Sequence, residues 1–258
     1  MNRTMSFVIV LVILVSVSNL VVAAHVGLTT TDPSWDDAHA TFYGDINGGE
    51  TMQGACGYGD LFKEGYGLET AALSTALFNN GKTCGACFEL MCVNSQYCKP
   101  NAGTIRITAT NFCPPNYNEP VQYHWCNPPN KHFDLSMKMF LSFAEYRGGI
   151  VPVKFRRVMC HKRGGVRFEI KGNPYFIMVL VYNVGGAGDV TNVEIRGDKS
   201  NWIGMSRNWG QIWNAGSDLV GQKLSFVVRT SDGKSLTFFN VAPENWGFGQ
   251  TYEGTLNF

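Results

Sequence analysis

The segment best suited to chemistry is His132-Phe133-Asp134-Leu135, in which a carboxylate stands between a histidine and the start of an apolar run. Leu135, Met139 and Phe143 recur every four residues, which predicts a helix that begins at or just after Asp134. A carboxylate at the entrance of a helix has two interpretations. It is either an N-cap that accepts backbone N–H groups, or an acid that donates a proton in a groove.

The first 24 residues predict a secretory signal peptide. They contain one charge, Arg3, an apolar run from Phe7 to Val15, and the small residues Ala23 and Ala24 at the end. This apolar core is too short to span a bilayer, and no later stretch approaches the length of a spanning helix. We therefore predict a secreted, extracellular protein that has no membrane partner in its mature form.

The mature chain has balanced charge, because removal of Arg3 leaves 20 basic residues (21 − 1) against 20 acidic residues. Such a chain has no global field that would attract nucleic acid or an anionic membrane, so a neutral partner is indicated. The sequence has no heptad pattern that would predict a coiled coil, and we expect a monomer.

A run of basic side chains without an intervening acid lies near the middle of the chain. Its members are Lys154, Arg156, Arg157, Lys162, Arg163 and Arg167. We favour outward positions of one strand over a patch for an acidic polysaccharide, because the alternation of a strand accounts for half of these charges.

Eight cysteines lie in the first two thirds of the mature chain and none in the last 98 residues, which predicts two domains. They are Cys56, Cys84, Cys87, Cys92, Cys98, Cys113, Cys126 and Cys160. An even number in a secreted chain predicts four disulfides, and Cys92 can pair locally with Cys98. The spacing from Cys84 to Cys87 also suits a metal, but export favours oxidation, so we expect no metal or other cofactor.

The sequence of the cysteine-containing part predicts mainly short strands. Residues 40–44, 88–93, 104–110 and 153–158 have strand-like patterns, whereas residues 70–78 predict a short helix that ends at Asn79-Asn80-Gly81. The simplest closed arrangement of such strands is a small β-barrel tied by disulfides.

The part without cysteines predicts a β-sandwich of about 90 residues. Strand-like segments recur at residues 166–170, 175–182, 193–196, 224–228 and 236–239, and Asp232-Gly233 predicts a tight hairpin. A sandwich of this size cannot readily bury Trp202, Trp209, Trp213 and Trp246 together. We expect at least one to be exposed on a flat sheet face, where an indole can stack on a pyranose ring.

At the level of motifs, the chain resembles the plant expansins, specifically the alpha-expansins, over nearly its whole mature length. The segments that carry the resemblance are Ala40-Thr41-Phe42-Tyr43-Gly44, Gly54-Ala55-Cys56-Gly57-Tyr58-Gly59, Cys84-Gly85-Ala86-Cys87-Phe88-Glu89-Leu90, Thr110-Asn111-Phe112-Cys113-Pro114-Pro115, Cys126-Asn127-Pro128-Pro129, His132-Phe133-Asp134-Leu135, Lys162-Arg163-Gly164-Gly165 and Ser206-Arg207-Asn208-Trp209-Gly210-Gln211. Their order and spacing together make the resemblance specific.

The resemblance implies a mainly β fold in two domains. Residues 38–165 would form a six-stranded double-psi β-barrel with short helices, related to family 45 endoglucanases. Residues 166–258 would form an immunoglobulin-like, carbohydrate-binding β-sandwich similar to a grass-pollen-allergen module. The family's cysteine order implies the pairs Cys56 with Cys84, Cys87 with Cys160, Cys92 with Cys98, and Cys113 with Cys126.

The resemblance also implies site residues. Asp134, with His132 beside it, falls on the general acid of the related hydrolases, which raises the functional interpretation of this carboxylate above the N-cap. Further positions fall on glycan-binding residues of the barrel groove and of the sandwich, and they are Thr41, Phe42, Tyr43, Asn111, Phe176 and Trp209. Asn111 stands where beta-type expansins have an aspartate.

Asp45 departs from the usual alpha-expansin pattern. The related hydrolases carry their base in a Thr-x-Tyr-x-Asp arrangement, which Thr41 to Asp45 reproduces. Inverting hydrolysis requires two carboxyl groups about 6.5 to 9.5 Å apart. The alternative, which we favour, is an aspartate that opens the turn at Asn47-Gly48-Gly49.

From these features we predict a secreted protein that loosens plant cell walls by disrupting the noncovalent adhesion of glycans, without hydrolysis. The expected partners are cellulose and matrix polysaccharides such as xyloglucan. One alternative is an inverting endo-β-glucanase that uses Asp134 as acid and Asp45 as base. A second alternative is a passive, lectin-like wall-binding protein.

Overall fold

The computed structural model of the chain describes residues 34–49 and 53–258. The signal peptide predicted for residues 1–24 lies outside the described residues. Within the described residues, no helix is long and apolar enough to cross a bilayer.

Six strands form a closed barrel in the first part of the chain. They are β1 (Asp36–Tyr43), β2 (Thr70–Leu73), β3 (Cys87–Cys92), β4 (Ile105–Phe112), β5 (His132–Ser136) and β6 (Val151–Val158). Around the barrel the order is β1-β5-β2-β4-β3-β6. Strand β1 is parallel to β5 and β2 is parallel to β4, whereas the other neighbours are antiparallel. This confirms the predicted six-stranded double-psi β-barrel.

Alternate residues of the barrel strands fill its interior. Phe133 is fully buried and its ring lies 5.3 Å from that of Phe88 and 5.0 Å from that of Phe155. Burying a phenylalanine side chain stabilises a fold by about 1.5 to 3 kcal/mol, so these rings make a large contribution to barrel stability. The intervening residues of β1 and β6 point outward and are available for a surface site, whereas every residue of β2 is buried.

The prediction of a helix over residues 70–78 is wrong in its first half. Thr70–Leu73 forms the fully buried strand β2, and only Thr75–Phe78 forms the helix α1. Periodicity does not distinguish a short apolar run in a buried strand from a helix, and β2 has barrel neighbours on both edges.

The predicted helix after Asp134 begins later than expected. Asp134 lies inside strand β5, and the helix α2 spans Met137–Phe143. Its N-cap is Ser136, whose hydroxyl accepts a hydrogen bond from the Met139 N–H at 3.4 Å. The N-cap interpretation of Asp134 is therefore wrong, because a hydroxyl two residues later does that work.

The second part of the chain is a β-sandwich, as predicted. Its strands are β7 (Arg167–Asn173), β8 (Phe176–Tyr182), β9 (Val190–Gly197), β10 (Ile203–Gly204), β11 (Ser206–Trp209), β12 (Ile212–Ala215), β13 (Leu224–Thr230), β14 (Ser235–Ala242) and β15 (Thr251–Glu253). One sheet has the order β10-β9-β13-β14 and the other β11-β12-β8-β7-β15. Between them Phe168 and Phe226 stack at 4.3 Å. Asp232-Gly233 turns the chain between β13 and β14, as its sequence predicts.

All four disulfides expected from the resemblance are present. They join Cys56 to Cys84, Cys87 to Cys160, Cys92 to Cys98, and Cys113 to Cys126. Cys84 and Cys87, whose spacing also suited a metal, thus belong to two different disulfides.

The barrel and the sandwich are closely packed against each other. The Gln211 side chain donates to the Cys84 carbonyl at 2.7 Å, and its backbone N–H donates to the Cys56 carbonyl at 3.1 Å. Gly210 lies so close to the backbone of Cys56 that a Cβ atom would approach its carbonyl oxygen to 2.5 Å. Leu180 of the sandwich packs into the barrel's hydrophobic cluster. Backbone contact of this kind fixes one domain against the other.

The basic run is divided between two environments. Lys154 and Arg156 occupy outward positions of β6 and pair with Asp37 and Glu89, as the strand interpretation expects. Arg157 instead is buried and pairs with Asp189 of the sandwich. The strand interpretation is wrong for Arg157, because at this position β6 faces the other domain rather than solvent.

Candidate functional site

A row of aligned residues crosses four neighbouring strands of the barrel. Thr41 of β1 is paired in register with Asp134 of β5, Asp134 with Ala72 of β2, and Ala72 with Asn111 of β4. Neighbouring strands lie about 4.8 Å apart, so the row is about 14 Å long. The small Ala72 side chain leaves space between Asp134 and Asn111. We call Thr41, Asp134, Ala72 and Asn111 the polar row.

Asp134 faces outward because its neighbours along β5, Phe133 and Leu135, fill the barrel interior. Its Oδ1 accepts a hydrogen bond of 2.7 Å from the Thr41 hydroxyl. The same hydroxyl lies 2.8 Å from Nε2 of His132. A threonine hydroxyl has one hydrogen, so with Asp134 ionised the His132 Nε2–H donates to Thr41 and Thr41 donates to Asp134. No hydrogen bond joins Oδ2 of Asp134 to the described part of the chain, so this oxygen can face a ligand.

Burial raises the pKa of Asp134 above its ordinary value, and the hydrogen bond from Thr41 opposes this shift. A proton therefore remains on this carboxyl at a higher pH than on an exposed aspartate. When protonated, such a group can donate a hydrogen bond to a glycan oxygen.

His132 is held in its neutral form. It is 1% exposed, and burial, with smaller effects from His39 and His124, lowers its pKa to about 3. Its Nδ1 is buried and has no hydrogen-bond partner among the described residues, which fits an unprotonated nitrogen. His132 thus orients Thr41 without adding a charge.

Tyr43 and Asn111 lie beside Asp134 on the same outer surface. Burial raises the pKa of Tyr43, the neighbouring Asn111 side chain lowers it, and the charge of Asp134 raises it. The carbonyl oxygen of Asn111 accepts backbone N–H groups from Ala55 and Phe112, both at 2.8 Å. Asn111 therefore anchors the loop that contains Cys56, and its NH2 group is left to face Tyr43 and a ligand.

Two residues proposed from the sequence do not reach the polar row. Phe42 points to the other side of β1, where its ring lies 4.7 Å from Phe140 and 5.1 Å from Tyr146. Asp45 follows the end of β1 and is exposed.

Asp45 opens a turn, the interpretation that the sequence favoured. Its Oδ1 accepts the Asn47 N–H at 2.7 Å, and its backbone carbonyl accepts the Gly48 N–H at 3.0 Å. Its other carboxylate oxygen lies against Gly49, where a Cβ atom would come within 2.4 Å. The carboxylate of Asp45 is thus engaged with its own loop.

The sandwich contributes an exposed aromatic surface through the sheet that contains β8, β11 and β12. Trp209 is 45% exposed and Phe176 is 40% exposed. Trp209 of β11 is paired with Ile212 of β12, and Ile212 is paired with Leu180 of β8. Leu180 lies four residues along β8 from Phe176. Four strand residues span about 13 Å, so the two rings sit well apart on the sheet.

Aromatic rings of the barrel lead from the polar row to Trp209. Phe112 follows Asn111 on β4 and stacks on Phe78 at 4.6 Å. Phe78 in turn lies 5.7 Å from the Trp209 ring. Phe78 is only 1% exposed, so it supports Trp209 from below and offers no face to a ligand. We call the exposed rings of Trp209 and Phe176 the aromatic strip. Contacts through Phe112 and Phe78 connect this strip to the polar row across the domain boundary.

Sequence reasoning missed Trp125 and His39, which border the polar row at its other end. Their rings lie 4.4 Å apart, and His39 is paired in register with His132. His39 could have been found from its position, since it precedes Thr41 by two residues and so shares its face of β1. Trp125 lies in a loop, and no periodicity connects it with β1.

Comparisons with known families and sequences agree with this architecture. Residues 166–243 match the family described as Expansin C-terminal domain, and residues 70–155 match the family described as Lytic transglycolase. Expansin-A23 and Expansin-A25 of Arabidopsis thaliana are 64% and 65% identical to the chain over 228 residues. Each alignment covers 88% of the chain and 82% of the relative.

Solved structures with a similar fold include an expansin of Clavibacter michiganensis. Its ligand-free structure gives a TM-score of 0.66 at 18% identity, and a mutant in complex with cellohexaose gives 0.65 at 17% identity. In both cases the match covers 87% of the chain and 98% of the bacterial protein. At these identities the likeness shows that the two-domain fold is shared.

Proposed function

The chain belongs to the alpha-expansins, and we propose that it is a secreted wall-loosening protein that binds β-glucan chains and disrupts their noncovalent adhesion. The proposed partners are cellulose and matrix polysaccharides such as xyloglucan, and the proposed location is the plant cell wall. The proposed site consists of the polar row and the aromatic strip together.

The observation that carries this proposal is the connection of the polar row to the exposed rings of the sandwich, through Phe112 and Phe78, across a fixed domain boundary. Aromatic faces stack on sugar rings, while hydroxyl, amide and carboxyl groups exchange hydrogen bonds with sugar hydroxyls. A surface that combines both over several strands suits a long, neutral, extended glycan better than a small ligand. The complex of the bacterial relative with cellohexaose supports this choice of ligand.

Within the row, Asp134 would hydrogen-bond a glucan hydroxyl or a glycosidic oxygen through Oδ2. Thr41 and His132 fix the rotamer of Asp134. The Asn111 NH2 group and the Tyr43 ring would orient the chain, because the Tyr43 hydroxyl itself is buried. Trp209 and Phe176 would anchor it by stacking. The tight packing of the domains would hold the polar row and the aromatic strip in a fixed position relative to each other.

The hydrolase alternative requires a second carboxyl group opposite Asp134, with a water molecule between them. In the polar row, Asp134 is the only residue with a carboxyl group, and Asp45 is held by its turn. We therefore propose that the protein does not cut the glycan. Binding by Asp134 as an acid can weaken adhesion between chains without breaking a covalent bond.

The proposed function is tested by measuring two outputs from one preparation. Clamped, heat-inactivated wall strips should extend when the protein is added at acidic pH, and soluble β-glucan incubated under the same conditions should release no reducing ends. Release of reducing ends in step with extension would support the hydrolase instead. Binding to cellulose without any extension would support the passive wall-binding alternative.

A further inference from the structure

A polar cavity lies towards the end of β4 that is remote from Asn111. It has a volume of about 390 Å³, and its lining includes His161, Lys162, Arg163, Arg167, Tyr66 and Glu69. A smaller cavity of about 190 Å³ shares His161, Lys162 and Glu69 with it and adds Arg106. Thr108, which lines both, is three residues from Asn111, or about 10 Å along the strand. We call the two together the basic cavity.

The cationic groups of the basic cavity differ in how they are neutralised. Arg167 pairs with Glu253 at 3.1 Å, and Arg106 pairs with Glu89 at 3.8 Å. Lys162 forms no ion pair or hydrogen bond with the described residues, and its Nζ lies 4.2 Å from the centroid of the Tyr66 ring. Glu69 is the acidic residue of the lining. The cationic groups therefore outnumber the acidic one.

Lys162 is placed as a binding group rather than as a solvated surface charge. Burial lowers its pKa to about 8, and Glu69 opposes that shift. At neutral and acidic pH the side chain is thus still cationic, although it has lost part of its hydration. An anion that enters the cavity would replace the lost hydration and gain a charge-assisted hydrogen bond.

From this geometry we propose that the basic cavity binds the carboxylate of an acidic sugar residue in a wall polysaccharide. Lys162 would contact the carboxylate directly, and Arg163 and His161 would supply further donors. The choice of a sugar acid over another anion rests on the proposed function, since that function places the protein among polysaccharides. Carboxylate recognition here uses side chains separate from the polar row and the aromatic strip.

The structure thus divides the basic run of the sequence into different roles. Lys154 and Arg156 belong to ion pairs on β6, and Arg157 to the domain boundary. The members after Cys160, which are Lys162, Arg163 and Arg167, line the basic cavity. The sequence alone shows six basic residues without an acid between them, and it does not separate these roles.

The experiment measures binding to unesterified polygalacturonate by affinity electrophoresis, with the fully methyl-esterified polymer as the neutral comparison. Lys162→Gln should weaken binding to the charged polymer about tenfold, as the loss of one charge-assisted contact implies. Arg163→Gln should weaken it in the same direction. Lys199→Gln makes the same change of charge on an exposed loop and should leave binding unchanged.

Depletion of each variant by cellulose powder provides an independent readout. Lys162→Gln should keep wild-type cellulose binding, and its thermal midpoint should stay within the range of Lys199→Gln. If cellulose binding fails for the wild type while polygalacturonate binding still depends on Lys162, the proposed function falls and the basic cavity stands.

Three results would overturn the inference. The first is equal binding of the wild type and Lys162→Gln to polygalacturonate, and the second is an equal loss in Lys199→Gln. The third is displacement of the polymer by inorganic phosphate as effectively as by galacturonate, which would mark a general anion site.

Discussion

The barrel and the sandwich are stabilised by different interactions. Four disulfides tie the barrel, which holds a buried histidine and a half-buried aspartate next to its hydrophobic interior. The sandwich contains no cysteine and relies on two sheets packed around stacked rings. Buried polar groups cost free energy that an apolar core does not. We infer that the barrel needs its covalent ties because it carries the polar site.

The disulfides also support the boundary between the two regions. Cys56–Cys84 lies beneath the contacts of Gly210 and Gln211, and Cys160 forms a β-bridge with Gly186. The sandwich thus takes its position from a part of the barrel that is covalently fixed. The following predictions test this contrast, from the largest expected effect to the smallest.

The largest effect is expected from the Cys87–Cys160 disulfide, which joins residues 73 positions apart. Replacing both cysteines by alanine should destabilise the barrel by about 4 kcal/mol, by the chain-entropy estimate for a loop of that length. Hydrogen exchange measured by mass spectrometry should show loss of protection in β3 and β6 before β13.

The matched control is the double replacement of Cys92 and Cys98, which closes a separation of only 6 residues. It should cost about 2 kcal/mol by the same estimate. Equal loss of protection in β13 and in the barrel strands would contradict the contrast, because the chain would then unfold as one cooperative unit.

A somewhat smaller effect is expected from His132 on acidification. Its pKa is lowered to about 3, so the folded state binds fewer protons than the unfolded state below pH 6.5, and stability falls as the pH falls towards 3. Between pH 6.5 and 4.5 this amounts to about 2 kcal/mol. Urea unfolding of His132→Gln should lose that part of the pH dependence. His161→Gln, which alters an exposed histidine, should retain it.

Much of the fold can be predicted from the sequence. The alternation of residues 153–158 predicts strand β6, and Asp232-Gly233 predicts the hairpin between β13 and β14, because both signals lie within a short stretch of sequence. The sandwich has strongly alternating strands, so its outline followed from periodicity. Spacing indicated only the local pair of Cys92 with Cys98. The other disulfide partners depend on which loops the barrel brings together, and only the family resemblance supplied them.

Properties that depend on long-range contacts could not be predicted. The local sequence of β2 predicts a helix. It forms a strand because it is paired with β4 and β5, which are distant in sequence. The polar row depends on register between strands up to 93 residues apart, as in the Thr41 to Asp134 hydrogen bond. The pairing of Arg157 with Asp189 requires a second domain in place.

On the sandwich side of the contrast, Trp209→Ala should weaken binding to cellulose by about 1 kcal/mol, the typical contribution of an aromatic contact. Depletion by cellulose powder measures this loss, which should exceed that of any polar substitution in the row. Phe239→Ala provides the control, since Phe239 is 65% exposed but lies on the other sheet. An equal loss in Phe239→Ala would place the binding face elsewhere.

The smallest effect concerns the stability of Asp134→Asn. Burial raises the pKa of Asp134 in the folded state, so its contribution to stability is present at low pH and is lost as the pH rises through that pKa. The amide cannot ionise. Thermal unfolding should therefore show Asp134→Asn to be slightly more stable than the wild type at pH 7 and no more stable at pH 3. A lower midpoint at pH 7 would show that ionised Asp134 stabilises the fold.

The most direct test of the account is the extension of clamped, heat-inactivated wall strips by Asp134→Asn, with Asp45→Asn as the matched control. Both variants exchange a carboxyl for an amide of the same size, but only Asp134 lies in the polar row. We predict that Asp134→Asn loses most of the extension activity at acidic pH, while Asp45→Asn keeps it. Wild-type extension by Asp134→Asn would contradict the account.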